Sequence, residues 1–217
     1  MDLPTLLRDA LLVVAAYLVG SIPVGVLVAR AAGGPDPRTI GSGRTGGTNA
    51  LRALGRRWAL VVVLGDLAKG ALPVLLAGAV TDDPVMRSLC GLAAVVGAVR
   101  SVYLRFHGGR GVGAGVGTML VIQPLAVLLA APVFVGSVLI TGYVSLGSLL
   151  GSAAMIPATV LLWFLSDGSM PAVYIAYVTV GVAIIWLAHA DNIDRLIHRT
   201  ERKLDIGLLA GRRRPGP

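Results

Sequence analysis

Between Gly41 and Arg52 the chain reads Gly-Ser-Gly-Arg-Thr-Gly-Gly-Thr-Asn-Ala-Leu-Arg, a run of small and polar residues in an otherwise apolar sequence. Its four glycines let the backbone curl until several N–H groups point to one side, and Ser42, Thr45, Thr48 and Asn49 add short donors beside Arg44 and Arg52. That inventory suits an anion, above all a phosphate; a plain flexible connector is the alternative. Three further islands bear on the choice. Gly108-Gly109-Arg110-Gly111 sets a glycine turn and a cation before an apolar run, the composition of an anion site at a helix N-terminus. Tyr143 to Ser148 brings Ser145 and Ser148, and His189 to Asn192 brings an imidazole and an amide. Each island alone has a structural explanation: glycine for turn geometry, serine bonding a carbonyl of the preceding turn, histidine and asparagine at an interface. Asp66 and Lys69, three apart inside an apolar run, each cost about 2.5–3.5 kcal/mol on insertion scales, so they must pair or face a polar pocket.

The elements that position these islands are transmembrane helices. Of the 217 residues, 55% are hydrophobic and 14% charged, and the mean hydropathy of +0.81 exceeds that of a soluble domain. Aromatics are scarce while Ala, Gly, Val and Leu abound, which favours close helix packing in lipid over a β-barrel. The expected fold is all-α: a polytopic membrane helix bundle forming one domain over 1–217, with a basic tail from about 202 to 217. Apolar segments run from about Leu6 to Ala29, Trp58 to Val80, Met86 to Leu104, Val112 to Ile122, Leu125 to Ile140, Leu149 to Leu165 and Ala172 to Ala188. They make about seven spans, the fourth short for a hydrocarbon core of roughly 30 Å. The first is expected to stay as a span, because Asp2 and Asp9 make a poor signal-peptide start.

Charge sets the orientation. With the N-terminus outside and the C-terminus cytoplasmic, sixteen of the nineteen Lys and Arg residues fall on the inner side, leaving Arg8 and Arg87 outside and Lys69 within a span. The net charge of +8 is thereby explained without nucleic acid, and Arg212, Arg213 and Arg214 are expected against anionic lipid. The same orientation collects all four polar islands on the cytoplasmic face. Glycines, arginines, hydroxyls and a His/Asn pair converging there argue for a site that takes one or two phosphates and an apolar tail. Cys90 lies in an apolar run, so neither a disulfide framework nor a thiolate metal site follows from it.

In sequence order, Ser42 to Arg52, Asp66-Leu-Ala-Lys-Gly70, Gly108-Gly-Arg-Gly-Val112, Tyr143 to Ser148 and His189-Ala-Asp-Asn-Ile-Asp-Arg-Leu196 resemble the bacterial acyl-phosphate:glycerol-3-phosphate acyltransferases, as does the closing Thr200-Glu201 with Lys203. The resemblance covers nearly the whole chain. It implies a seven-helix inner-membrane enzyme of phospholipid synthesis that moves a fatty acyl group from acyl phosphate to the 1-hydroxyl of glycerol 3-phosphate. Ser42, Arg52, Arg110, Ser145, His189 and Asn192 would hold glycerol phosphate, with His189, Asn192 and Arg110 at the chemistry. Gly46, Gly47, Thr48, Asn49, Gly108, Gly109 and Gly111 would cradle acyl phosphate. No metal, cofactor or carrier is implied; the partners are the two substrates and membrane lipid, and the expected state is a monomer.

The chain departs from the family pattern after its third span. Where the family writes Gly-His, Phe-Pro and Lys-Gly-Gly-Lys, this sequence has Gly97-Ala98, Arg100-Ser101 and His107-Gly108-Gly109-Arg110. Arginine keeps the positive charge while exchanging a point ammonium for a planar fork, and His107 is a candidate to stand in for the first lysine. Two rivals remain. His189 and Asp194 match the spacing of an acyl-CoA-type catalytic pair, though without the α/β domain that carries it. A membrane protein that binds or transports a phosphate-bearing metabolite or lipid, without chemistry, is the second.

Overall fold

The computed structural model describes residues 2–204. Their regular structure is helical: α1 Leu3–Gly20, α2 Val24–Ala31, α3 Gly47–Leu54, α4 Arg56–Val80, α5 Pro84–Val99, α6 Val112–Ile122, α7 Pro124–Thr141, α8 Val144–Leu165, α9 Val173–Ala188 and α10 Ala190–Ile197, with two 3-10 turns between. Among the described residues, five helices are long and apolar enough to cross a membrane, the third counted through Leu104. A sixth is α9 with α10, bent by 62°. α6, at eleven residues, spans only about 17 Å. The polarity is that of a protein dissolved in lipid: Leu128, Leu139 and Ile140 lie outward and exposed, whereas Ser145, His189 and Asn192 are buried. The basic tail with Arg212, Arg213 and Arg214 lies outside the described residues from 205 onward.

Three expectations are corrected. The first apolar segment is two helices, because Pro23 has no N–H for the carbonyl of Val19 and its ring blocks a straight continuation. The carbonyls released at the break are taken up across the bundle: Ser101 Oγ donates to Ser21 O at 2.5 Å and Lys69 Nζ to Ile22 O at 3.2 Å. Ser101, one of the departures from the family pattern, thus seals a break in another helix. The Gly41–Arg52 island is only half loop, since α3 begins at Gly47. α8 starts at Val144, which moves Ser145 and Ser148 from the connection into a helix's first turns.

Glycine brings α4 and α6 into close contact. A Cβ on Gly70 would lie 2.1 Å from the Ala114 carbonyl oxygen, and one on Gly117 would lie 2.0 Å from that of Leu67. This crossing carries Asp66 and Lys69 of α4 alongside the start of α6. Gly117→Val should therefore lower stability in detergent by at least ~2 kcal/mol by overpacking, while Gly136→Ala on α7, where a Cβ meets nothing within 4 Å, should be close to neutral. Thermal melts of the two variants check the contrast.

Candidate active site

A cavity of about 510 Å³ opens at one end of the bundle. Its polar half is lined by Ser42, Gly46, Gly47, Thr48, Asn49, Arg52, Gly109, Arg110, Gly111, Ser145, His189 and Asn192, so loops distant in sequence meet at one place. Of the residues expected to hold the two substrates, only Gly108 stays off the wall. Asp66 and Lys69 also reach the cavity, paired at 2.8 Å.

The walls are built around helix starts. α3, α6 and α8 all begin here, and the first N–H groups of each have no acceptor in the preceding turn. Each terminus contributes roughly half a positive charge. Gly47 and Thr48 on α3, and Val112 and Gly113 on α6, line the cavity, and N–H groups at such helix starts suit an anion. Gly111 enables the second of these by taking φ +79 at the turn into α6.

Hydrogen bonding changes the roles of several expected ligands. The two hydrogens of Asn49 Nδ2 are shared among the carbonyls of Pro37 at 2.6 Å, Ile40 at 3.0 Å and Arg44 at 2.8 Å, and its Oδ1 accepts from the Ser42 N–H at 3.1 Å. Its donors are spent, so Asn49 shapes the loop instead of donating to a phosphate. Gly41 must be glycine for the same reason: at φ +57, a Cβ there would sit 2.3 Å from Asn49 Oδ1. The Gly108 and Gly109 N–H groups bond to Val99 O at 3.0 Å and Ala98 O at 2.8 Å, which removes them as cradle donors. His107 is exposed, its Nδ1 against Arg105 O, and cannot stand in for a lysine in the cavity.

The acceptors are arranged differently. Ser145 Oγ and Asn192 Oδ1 are buried without a hydrogen-bond partner among the described residues, an arrangement that costs free energy unless a ligand completes it. His189 is 2% exposed, and its Nδ1 lies 2.8 Å from the Ile185 carbonyl. A carbonyl only accepts, so Nδ1 carries the proton and Nε2 keeps its lone pair.

Cations surround this pocket. Arg110 donates to Asp191, with Nη2 to Oδ2 at 2.6 Å, and also to the Ala188 carbonyl at the α9–α10 bend. Asp191 further receives Arg195 at 3.1 Å, and Arg195 Nε reaches Glu201 at 2.7 Å. Glu201 Oε1 in turn accepts from Asn192 Nδ2 at 3.0 Å. Arg44 lines the cavity as well; burial first, and then the Arg110 charge, lowers its pKa from the ordinary guanidinium value. Sequence reasoning passed over Asp191, although its spacing of four from Arg195 on a helix was a legible signal. Glu201 was noticed only as part of a motif. It arrives because the closing segment folds back over the α7–α8 turn, where Leu204 N–H bonds Gly142 O at 2.7 Å.

Residues 10–199 match the family model described as glycerol-3-phosphate acyltransferase. A relative named glycerol-3-phosphate acyltransferase 3, from Dehalococcoides mccartyi, is 39% identical over 207 residues, covering 90% of this chain and 95% of that protein. The glycerol-3-phosphate acyltransferase of Trichlorobacter lovleyi is 43% identical over 188 residues, covering 87% and 93%. Among solved structures, the glycerol 3-phosphate form of PlsY, an integral membrane glycerol 3-phosphate acyltransferase, superposes with a TM-score of 0.84 at 32% identity, covering 94% of this chain and all of that one. The lysophosphatidic acid form of the same protein gives 0.82.

The tautomer sets a test. By NMR the neutral His189 imidazole should carry its proton on Nδ1, against the Ile185 carbonyl; a proton on Nε2 contradicts that bond.

Proposed function

This chain belongs to the glycerol-3-phosphate acyltransferase family of integral membrane enzymes, and we propose that its acyl donor is acyl phosphate and that transfer to the 1-hydroxyl of glycerol 3-phosphate is direct. It is an acyltransferase of phospholipid synthesis, which sets aside the binding or transport alternative. The acyl-CoA-type pairing has no support either: Asp194 is exposed and lies against His198, not His189.

The observation that carries the reading is the pairing of two phosphate-sized demands with one apolar arm. Arg52 and Arg110, with Ser42, would hold the phosphate of glycerol 3-phosphate, because charge-assisted bonds to phosphate oxygens are about twice as strong as neutral ones. The unsatisfied N–H groups of α3 and α6 would take the acyl phosphate, and the acyl chain would run down among the helices. Ser145 Oγ, Asn192 Oδ1 and His189 Nε2 would contact the glycerol hydroxyls. The attacking hydroxyl oxygen forms a bond to the acyl carbon, the bond from that carbon to the bridging phosphate oxygen breaks, and phosphate leaves with the electron pair. The departing phosphate takes the hydroxyl proton while His189 and Asn192 orient the nucleophile. The helix-terminal amides stabilise the oxyanion formed on attack. A mixed anhydride is already activated, so no enzyme nucleophile is required.

The membrane arrangement proposed with this mechanism is a single domain of seven crossings. α1 and α2 share the first, α6 makes a short one, and the bent α9–α10 pair forms the last. The N-terminus is outside, the site faces the cytoplasm across the inner membrane, and the chain acts as a monomer. The distribution of Lys and Arg supports this orientation.

Purified protein in lipid, supplied with acyl phosphate and glycerol 3-phosphate, should release phosphate and form lysophosphatidic acid in equal amounts. Product from acyl-CoA but none from acyl phosphate overturns the donor assignment. Arg52→Ala should raise the KM for glycerol 3-phosphate by roughly 10- to 100-fold, as expected for losing a charged hydrogen bond, in a folded protein. Unchanged kinetics would remove Arg52 from the site.

A further inference from the structure

The lower half of the cavity has a defined bottom. Its walls come from α5, α6, α7, α8 and α9, each packed against the next and α9 back against α5, so five helices ring the arm. At its end lie Met119, Met155 and Tyr177, which line the cavity and also belong to a buried apolar cluster with Ala126 and Ala158. That cluster fills the space beneath the arm. The Tyr177 hydroxyl donates to Thr118 Oγ1 of α6, fixing the ring across the floor. On α9, twelve residues separate Tyr177 from His189, a depth of about 18 Å; on α8, ten residues separate Met155 from Ser145, about 15 Å. Both lengths match one leaflet, half of a hydrocarbon core of roughly 30 Å. Gly181 stands eight residues from His189, about 12 Å down the arm. Gly181 lines the cavity, and a Cβ there meets nothing nearer than Leu92 Cδ2 at 3.9 Å, so this level of the wall has room that a larger side chain would take up.

We propose that this arm measures the acyl chain: the floor of Met119, Met155 and Tyr177 sets the longest chain the enzyme seats, and Gly181 keeps the passage to that floor open. The inference rests on the acyl-phosphate reading above and adds residues that select among donors. A chain shorter than the arm leaves part of it unfilled, and a chain longer than the arm has to bend back or push its head out of line with the glycerol hydroxyl.

Octanoyl, lauroyl and palmitoyl phosphate, each supplied with glycerol 3-phosphate to the purified enzyme, test the role through kcat/KM for lysophosphatidic acid formation. Gly181→Leu should lower the palmitoyl-to-octanoyl ratio on the order of tenfold, since the methylenes below that level lose their apolar surroundings. Met155→Ala deepens the floor and should raise the palmitoyl-to-lauroyl ratio by roughly threefold or more, providing the same reading should Gly181→Leu not fold. A variant that turns over octanoyl or lauroyl phosphate with its ratio unchanged overturns the measuring role while leaving the acyltransferase assignment intact. A wild-type enzyme that forms product from none of the three donors refutes the acyl-phosphate reading instead.

Discussion

A backbone N–H left bare in hydrocarbon costs several kcal/mol, and this constraint organises the molecule. α3, α6 and α8 begin inside the bundle, where their first amides cannot all be satisfied by protein. Their starts must therefore share a polar cavity, and an anion in it answers all three. The α4–α6 crossing at Gly70 and Gly117 places one of these starts, and the Asn49 hub places another. The polar cavity shared by these helix starts follows from the same requirement that makes membrane helices continuous elsewhere.

Charge is managed by the same logic. Arg110 has the fork needed to grip Asp191 and the Ala188 carbonyl together, which ties the start of α6 to the α9–α10 bend. A lysine, with one ammonium, could not bridge both with the same geometry. The replacement of the family's lysine by Arg110 therefore comes with an anchoring network, running through Asp191, Arg195 and Glu201 to Asn192. Ala98 and Ser101 are accommodated separately. Ala98 lines the cavity and uses its carbonyl to hold the Gly109 turn, while Ser101 serves the break at Pro23.

The sequence made the apolar segments and their polar islands legible because hydropathy and glycine clustering are local properties. Twelve of the thirteen residues expected at the site line the cavity, since residue types that suit phosphate are rare in a greasy chain; the apolar remainder of its wall was not legible. What escaped depends on partners far away in sequence. Pro23 was visible, but the break becomes tolerable only through Ser101 and Lys69. Asn49 looked like a phosphate donor until three carbonyls from its own loop were seen to occupy it. Gly108 and Gly109 looked like a cradle, yet their amides close a turn on Ala98 and Val99. Composition names the donors available; only the fold says which are already in use.

The claim that helix-terminal amides receive phosphate is tested most directly by amide NMR of the reconstituted protein, titrated with glycerol 3-phosphate and with a non-hydrolysable acyl phosphonate. The account predicts that the amide protons of Gly47, Thr48, Val112 and Gly113 move to lower field as the two ligands saturate, while those of Gly108 and Gly109 stay in place. Saturable binding of both ligands without a change at any of those four amides would contradict it.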